Sequence, residues 1–293
     1  MLNELNEPKP FWGGAWTEKK LDAFEKYVNA YLTIMDKNPY WKTIYFDAFA
    51  GSGDRDVQNE EIFKQLSILP EQEFVYKGAA ERVVSMKKKF DWYYFIDSDK
   101  KSVSSLKNKL ELIFPERKKS FVFRVSDSND ELIKLSKALK EKKLASLIFL
   151  DPFGMQIKWD AIKALKNTKS DIWILIPTGV IVNRLLDKKG ELKHIKKLES
   201  FFGMREEEIR KFFYKSQKRL NLFGQEDEML AKVMSPIQKI ADLYIKNLSQ
   251  IWKHTIETPL VLENNNGTPI FHFVFASNNK TAVEIAQQII KSV

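Results

Sequence analysis

The stretch Thr43-Ile-Tyr-Phe-Asp-Ala-Phe-Ala-Gly-Ser-Gly53 decides the fold expected for this chain. Its first half is β-branched and aromatic, which is typical of a buried strand, and it runs directly into a glycine-rich turn. In doubly wound α/β folds a nucleotide-like cofactor lies across the ends of such strands, and glycine lets the backbone approach it closely. An ordinary tight turn with a solvated aspartate is the alternative. The residues predicted to contact a cofactor here are Asp47, Phe49, Ala50, Gly51 and Gly53.

Short apolar runs alternate with helical patterns on the C-terminal side of this stretch, and a helix over Thr17–Met35 precedes it. Such alternation is typical of a parallel α/β sheet. An Asn-Gly turn near residue 266 predicts a final antiparallel hairpin. The polar stretch Asp54–Lys77 is expected to loop out before a helix resumes near Gly78. The predicted strands are Thr43–Phe49, Trp92–Ile96, Phe121–Val125, Ala145–Leu150, Asp171–Ile176, Glu257–Leu262 and Ile270–Ala276.

The segment between the fifth strand and the final hairpin reads as almost continuous helix, interrupted by turn signals at glycine and proline. We therefore expect residues 1–179 and 255–293 to form one α/β domain and residues 180–254 to form a helical insertion. Five alternating strands, this insertion and an antiparallel end predict a Rossmann-like α/β fold. Its sheet is mixed and seven-stranded, with an antiparallel last pair, which is the plan of the class I methyltransferase fold.

Polar residues follow the second and third predicted strands. An acid at the end of the second strand accepts hydrogen bonds from ribose hydroxyls in doubly wound folds, so Asp97, with Ser98 beside it, is a candidate cofactor ligand. Asp99 is a competing candidate for this role, but it could instead cap the N-terminus of the next helix. Asp127 and Asn129 could contact an adenine amino group, but such loop residues are also common turn formers.

The fourth predicted strand, which is nearly all apolar, ends in Asp151-Pro152-Phe153-Gly154. The Asp151 carboxylate and the Pro152 carbonyl could accept hydrogen bonds from the amino group of a nucleobase. Phe153 could stack on the base, a contact worth about 1–3 kcal/mol. These three residues are the predicted catalytic residues. Simple termination of the strand by Asp-Pro is the alternative.

The composition excludes several classes of protein. The chain has 293 residues, 48 Lys+Arg against 39 Asp+Glu, a net charge of +9 and no cysteine. No disulfide, thiol nucleophile or cysteine-bound metal is possible, and three scattered histidines predict no metal site. The sequence has neither an apolar run long enough to span a membrane nor a signal-peptide pattern, so we expect a cytoplasmic protein without membrane contact.

Basic residues interleaved with aromatics on the expected insertion suggest a nucleic-acid surface. Most lysine runs are solvated helix faces, which is the alternative here. The candidate nucleic-acid-binding residues are Arg184, Arg210, Lys211, Lys215, Lys218 and Arg219.

The segment Tyr45-Phe-Asp-Ala-Phe-Ala-Gly-Ser-Gly53 resembles the DxFAGxG loop of the three-Cys-motif partner (TcmP) proteins. Leu150-Asp-Pro-Phe-Gly154, with Trp159 and a helix after it, resembles the same family, as does Asp171 through Asn183-Arg184. The resemblance covers about residues 19–186. It implies a class I methyltransferase-like fold and a neighbouring radical-SAM-type partner with a three-cysteine motif, often in mobile or phage-related loci. The Gly loop also resembles that of nucleic-acid amino-methyltransferases, whose Asp-Pro-Pro-Tyr motif differs at Phe153 and Gly154.

The leading hypothesis is a methyltransferase that uses S-adenosylmethionine (SAM) and acts on the amino group of a base in DNA or RNA. The alternative is a non-catalytic methyltransferase-like scaffold that binds nucleic acid or a partner enzyme. A third possibility is an enzyme that is inactive without the three-cysteine partner. The absence of cysteine fits a chain whose cysteines would reside in that partner.

Overall fold

The centre of the fold is a sheet of eight strands, of which the first five are parallel. The computed structural model describes residues 15–51, 72–152, 154–220, 226–264 and 266–293. The strands of this sheet are β1 Lys42–Asp47, β2 Trp92–Asp97, β3 Phe121–Val125, β4 Leu144–Leu150, β5 Ser170–Ile176, β8 His254–Thr255, β9 Leu260–Glu263 and β10 Pro269–Ser277.

The strand order is β3-β2-β1-β4-β5-β10, with β8 and β9 on the outer edge of β10. Neighbours among the first five are parallel, and β10 is antiparallel to β5. The predicted mixed, mostly parallel α/β sheet is confirmed. One prediction is wrong in detail, because the outer edge of β10 carries the two short strands β8 and β9 instead of a single strand over Glu257–Leu262.

Ten α-helices, a 3-10 helix at Pro115–Ser120 and a π-helix at Thr178–Val182 flank or follow these strands in the described part of the chain. Asp99 caps the third helix by accepting a hydrogen bond from the Ser102 N–H at 2.6 Å, as the capping alternative predicts. The second helix begins six residues before Gly78, so the end of the expected loop is helical, and residues 54–71 lie outside the described residues. The α-helices are α1 Ala15–Asp36, α2 Gln72–Ser85, α3 Lys100–Ile113, α4 Ser128–Glu141, α5 Trp159–Ala164, α6 Asn183–Leu185, α7 Ile195–Phe202, α8 Glu206–Phe213, α9 Pro236–Leu248 and α10 Lys280–Lys291.

Helix α1 covers the middle of the sheet. Phe24 stacks on Phe149 of β4 with ring centroids 4.2 Å apart, and Tyr27 lies 4.6 Å from Phe275 of β10. Burying side chains of this size contributes about 2–3 kcal/mol each. This packing fixes the start of α1, and therefore Lys20, against the C-terminal end of β4. None of the helices in the described ranges has the length and hydropathy needed to cross a membrane.

The prediction that residues 180–254 are wholly helical is wrong. Besides α7, α8 and α9, this segment contains an antiparallel hairpin of β6 Tyr214–Leu220 and β7 Glu226–Lys232. The hairpin register places Lys218 opposite Glu228. The Lys232 ammonium group donates to the backbone carbonyl and the side-chain oxygen of Asn183, both at 2.6 Å, and so ties the hairpin to α6.

Candidate functional site

The residues predicted to bind a cofactor and substrate lie at the C-terminal ends of β1, β2 and β4 and form the candidate site. Asp47, the last residue of β1, is 2% exposed. Burial raises the pKa of its carboxyl to about 7, against the opposing hydrogen bonds from the Phe49 N–H at 3.2 Å and the Tyr45 hydroxyl at 3.1 Å. The neighbouring carboxylates of Asp151 and Asp97 raise this pKa further. Such a group favours a cationic ligand, because a nearby positive charge stabilises its ionised form.

The glycine turn after β1 is hydrogen-bonded to the end of β2. Gly51 has φ +66°, which glycine adopts without strain, and its N–H donates to the Asp97 carboxylate at 3.0 Å. Asp97 also accepts the Asp99 N–H at 2.9 Å, and burial raises its pKa. The Ser98 N–H also acts on this carboxylate, which has about four lone-pair positions, so acceptor capacity remains for a hydroxyl donor such as that of a ribose. Ser98 is exposed beside it, and Gly53 lies outside the described residues.

The predicted site residues after β3, Asp127 and Asn129, form hydrogen bonds within the protein. Asp127 is exposed and caps α4, accepting the N–H groups of Asn129 at 2.9 Å and Asp130 at 3.3 Å. Asn129 is buried, and its amide donates to the Gln156 carbonyl at 3.0 Å and accepts the Lys158 N–H at 2.8 Å. Both polar ends of that side chain therefore bind the loop after β4. The structure thus assigns Asn129 to fixing this loop.

Beyond β4, Asp151 forms a buried ion pair with Lys20 of α1. The whole residues are 3% and 2% exposed, so each charge has lost most of its hydration and depends on the other. Pro152 is buried next to it, and Phe153 lies outside the described residues. The half-buried Trp16, one helical turn before Lys20, has its ring centre 5.8 Å from the Lys20 ammonium nitrogen. An aromatic ring thus stands at this end of the site.

The sequence reasoning missed Lys20 and Trp16. Lys20 precedes Phe24 by four residues and Val28 by eight, which places it on the apolar face of α1. A lysine within such a stripe is the signal that could have identified it, since a buried lysine requires a partner of opposite charge.

Three carboxylates therefore end three adjacent strands. In the sheet register, Asp47 lies opposite Phe95 of β2 and Phe149 of β4, so Asp97 and Asp151 each extend two residues beyond it. Lys20 neutralises one of these charges. The remaining acids and the turn at Gly51 can hold a ligand that carries positive charge and hydroxyl donors.

Among the residues predicted to bind nucleic acid, Arg210 is held by contacts within the protein, whereas three others are exposed. Arg210 donates to Glu206 at 2.7 Å and to the Gly190 carbonyl at 2.5 Å, so its guanidinium is used inside the insertion. Lys211 and Lys215 are exposed, as is Arg184 on α6. Lys218 and Arg219 belong to β6, and their side chains lie outside the described part of the structure.

No protein-family model and no curated protein sequence matches the chain. A crystal structure of protein LPL1258 from Legionella pneumophila, assigned to family-model DUF519, is similar over 89% of this chain and 97% of its own length. The sequence identity is 12% and the TM-score is 0.37.

Proposed function

We propose that this chain is a SAM-dependent methyltransferase that acts on an amino group of a nucleic-acid base. The observation that carries the proposal is the convergence of Asp47, Asp97 and Asp151 at the ends of adjacent parallel strands, around the positive-φ turn at Gly51. The order β3-β2-β1-β4-β5-β10, with an antiparallel β10, supports a class I methyltransferase fold. In open α/β sheets ligands bind at the C-terminal strand ends where strand order reverses, here between β1 and β4.

SAM fits the chemistry of these residues. It has a cationic amino group and a sulfonium, which the buried Asp47 carboxylate favours, and ribose hydroxyls, which match the remaining acceptor capacity of Asp97. Gly51 lets the backbone come close to such a ligand, because no Cβ stands between them. When bound, SAM supplies a methyl group for in-line displacement by a nitrogen lone pair. Positioning of the two reactants can supply most of the rate.

At the other end of the site, Asp151 and the carbonyl of Pro152 orient the amino group that receives the methyl group. Lys20 occupies part of the Asp151 carboxylate and leaves its remaining lone pairs as acceptors. An acceptor on the amino hydrogens directs the nitrogen lone pair toward the methyl donor. The departing proton leaves to solvent, so the reaction does not require a strong base in the protein.

Calorimetric titration with SAM and with its demethylated product tests cofactor binding. We expect binding to the wild type and at least about tenfold weaker binding by Asp97→Ala, which loses charge-assisted hydrogen bonds. Asp91→Ala is the matched control, because Asp91 is a carboxylate hydrogen-bonded to Thr43 at the opposite end of the same sheet. Absence of heat with both ligands would reject the cofactor proposal.

A second candidate is a scaffold that binds nucleic acid or a partner enzyme without catalysis. The ion pair of Lys20 with Asp151 favours it, since the acid expected to meet the substrate already has a cationic partner. Transfer of tritiated methyl from SAM to DNA or RNA separates the two candidates. The assay is run with and without the neighbouring gene product, because the resemblance to the three-Cys-motif partner proteins suggests an enzyme that requires it.

A further inference from the structure

A surface depression lined by lysines lies at the end of the sheet opposite to Asp151. It is a depression of about 640 Å³ between the segments that precede β4 and β5 and the turn after α9. No acidic residue lines it in the described chain. Its basic lining residues are Lys140, Lys142, Lys166, Lys169 and Lys253, and its aromatic lining residues are Trp41 and Trp252.

These five lysines keep their positive charge facing solvent. All are exposed, and none forms a direct ion pair with an acidic side chain in the ranges the structure covers. Lys140 donates to the Ala164 carbonyl at 2.9 Å, and the Lys169 ammonium lies 4.5 Å from the centre of the Trp41 ring. Neither contact neutralises the positive charge of the lysine. The depression therefore has the electrostatic character of a polyanion site.

A second depression, of about 380 Å³, adjoins the first and shares Lys142 with it. It lies on the face of the sheet beside α4, where Trp92 and Tyr94 of β2 are half-buried. Arg124 adds a cation. Glu131, the acid in its lining, is paired with a lysine of the same helix at 2.7 Å. Aromatic faces next to uncompensated cations are the combination used to bind single-stranded nucleic acid.

We propose that the two depressions form one basic strip that binds the sugar-phosphate backbone of the nucleic-acid substrate, with unpaired bases on Trp92 and Tyr94. This inference rests on the proposed function for its substrate class. It assigns the nucleic-acid contact to this strip instead of to the insertion. Lysines alone would bind an acidic protein equally well, but the half-buried rings of Trp92 and Tyr94 favour a ligand with planar bases.

The position of the strip sets a length requirement. Lys142 precedes β4 and Asp151 follows it, and seven strand residues span about 23 Å. A strand stacked as in a duplex advances about 3.4 Å per nucleotide, so about seven stacked nucleotides separate the strip from the catalytic end. Stacked oligonucleotides much shorter than this cannot contact both.

Fluorescence anisotropy with a labelled 20-nucleotide RNA of about 20 phosphates tests the strip. The variant K142Q/K166Q/K253Q removes three charges that make no direct contact in the described structure. We expect at least about tenfold weaker binding at 0.1 M salt and a salt slope smaller by about 2. The matched control K188Q/K189Q/K197Q removes three exposed charges from the insertion and is expected to change binding less than about twofold.

Tyr94→Leu tests the stacking part of the proposal, with Tyr94→Phe as its control. Leucine keeps apolar contact with Phe46 but lacks an aromatic face, so we expect RNA binding to weaken about fivefold or more, while phenylalanine retains it. Equal losses for both triple variants would overturn the strip, as would failure of the wild type to bind RNA at low salt. Equal competition by polyglutamate of matched charge would indicate an acidic protein partner and also overturn it.

SAM titration of the same variants distinguishes this inference from the proposed function. Normal SAM binding with unchanged RNA binding in K142Q/K166Q/K253Q rejects the strip and leaves the cofactor site standing. Strip-dependent RNA binding by a wild-type protein that does not bind SAM supports the strip and rejects the methyltransferase proposal.

Discussion

Lys20 near the start of α1 and Asp151 after β4 form an ion pair whose side chains are only 3% and 4% exposed. The two residues are 131 positions apart in sequence, so the pair fastens the first helix to the central strand at the candidate site. Such a pair is costly to break, because removing one partner leaves the other charge buried and unpaired.

Lys20→Met should therefore lower the free energy of unfolding by about 3–5 kcal/mol, measured by chemical denaturation. The double variant K20M/D151N should recover much of this loss, since it removes both charges. A loss below about 1 kcal/mol in K20M would contradict the prediction and would be typical of an exposed pair.

The sequence predicts the strands of the sheet well, because β1, β2, β4 and β5 are nearly continuous apolar runs between turn residues. It cannot reveal the pairing of Lys20 with Asp151, since charge partners distant in sequence leave no local pattern. The β6–β7 hairpin is missed for a different reason. Its strands are rich in residues that also favour helix, such as Lys218, Glu228 and Met229, and only pairing across the hairpin selects the extended form.

The insertion meets the α/β domain at a close contact between Gly203 and Trp159. Gly203 has φ +66°, and a Cβ placed there would lie 2.0 Å from the Trp159 ring. Gly203→Ala should lower the free energy of unfolding by at least about 2 kcal/mol, because the buried ring cannot move aside without overpacking.

Gly267→Ala is the matched control for this substitution. Gly267 has a similar φ of +70°, but nothing lies within 4 Å of the added Cβ, so its effect measures backbone strain alone. Strain of this kind costs about 1–2 kcal/mol. Equal losses in the two variants, measured by the same denaturation experiment, would show that the contact with Trp159 is not tight in solution.

Asp47 should make the stability of the protein depend on pH. Its pKa is about 7 in the folded chain against 3.8 as an ordinary aspartate, so the folded state binds the proton more tightly. Stability from this group is fully present below pH 4, falls as pH rises, and is lost above pH 7. The shift of about 3 pH units corresponds to about 4 kcal/mol.

Asp47→Asn should remove that contribution, because asparagine does not titrate. Denaturation curves of both proteins between pH 4 and pH 8 give the difference in unfolding free energy. We expect the wild type to lose stability relative to the variant as pH rises. A constant difference across this range would refute the raised pKa of Asp47.

Under the proposed methyltransferase function, the same titration predicts that SAM binding releases a proton. At pH 6 the Asp47 carboxyl is mostly protonated, and a cationic ligand beside it favours the ionised form. Calorimetry in two buffers with different ionisation enthalpies should show close to one proton released per SAM at pH 6, and almost none at pH 8. Asp47→Asn should abolish the release at pH 6. An unchanged proton count in this variant would place the titrating group elsewhere and separate Asp47 from the cofactor site.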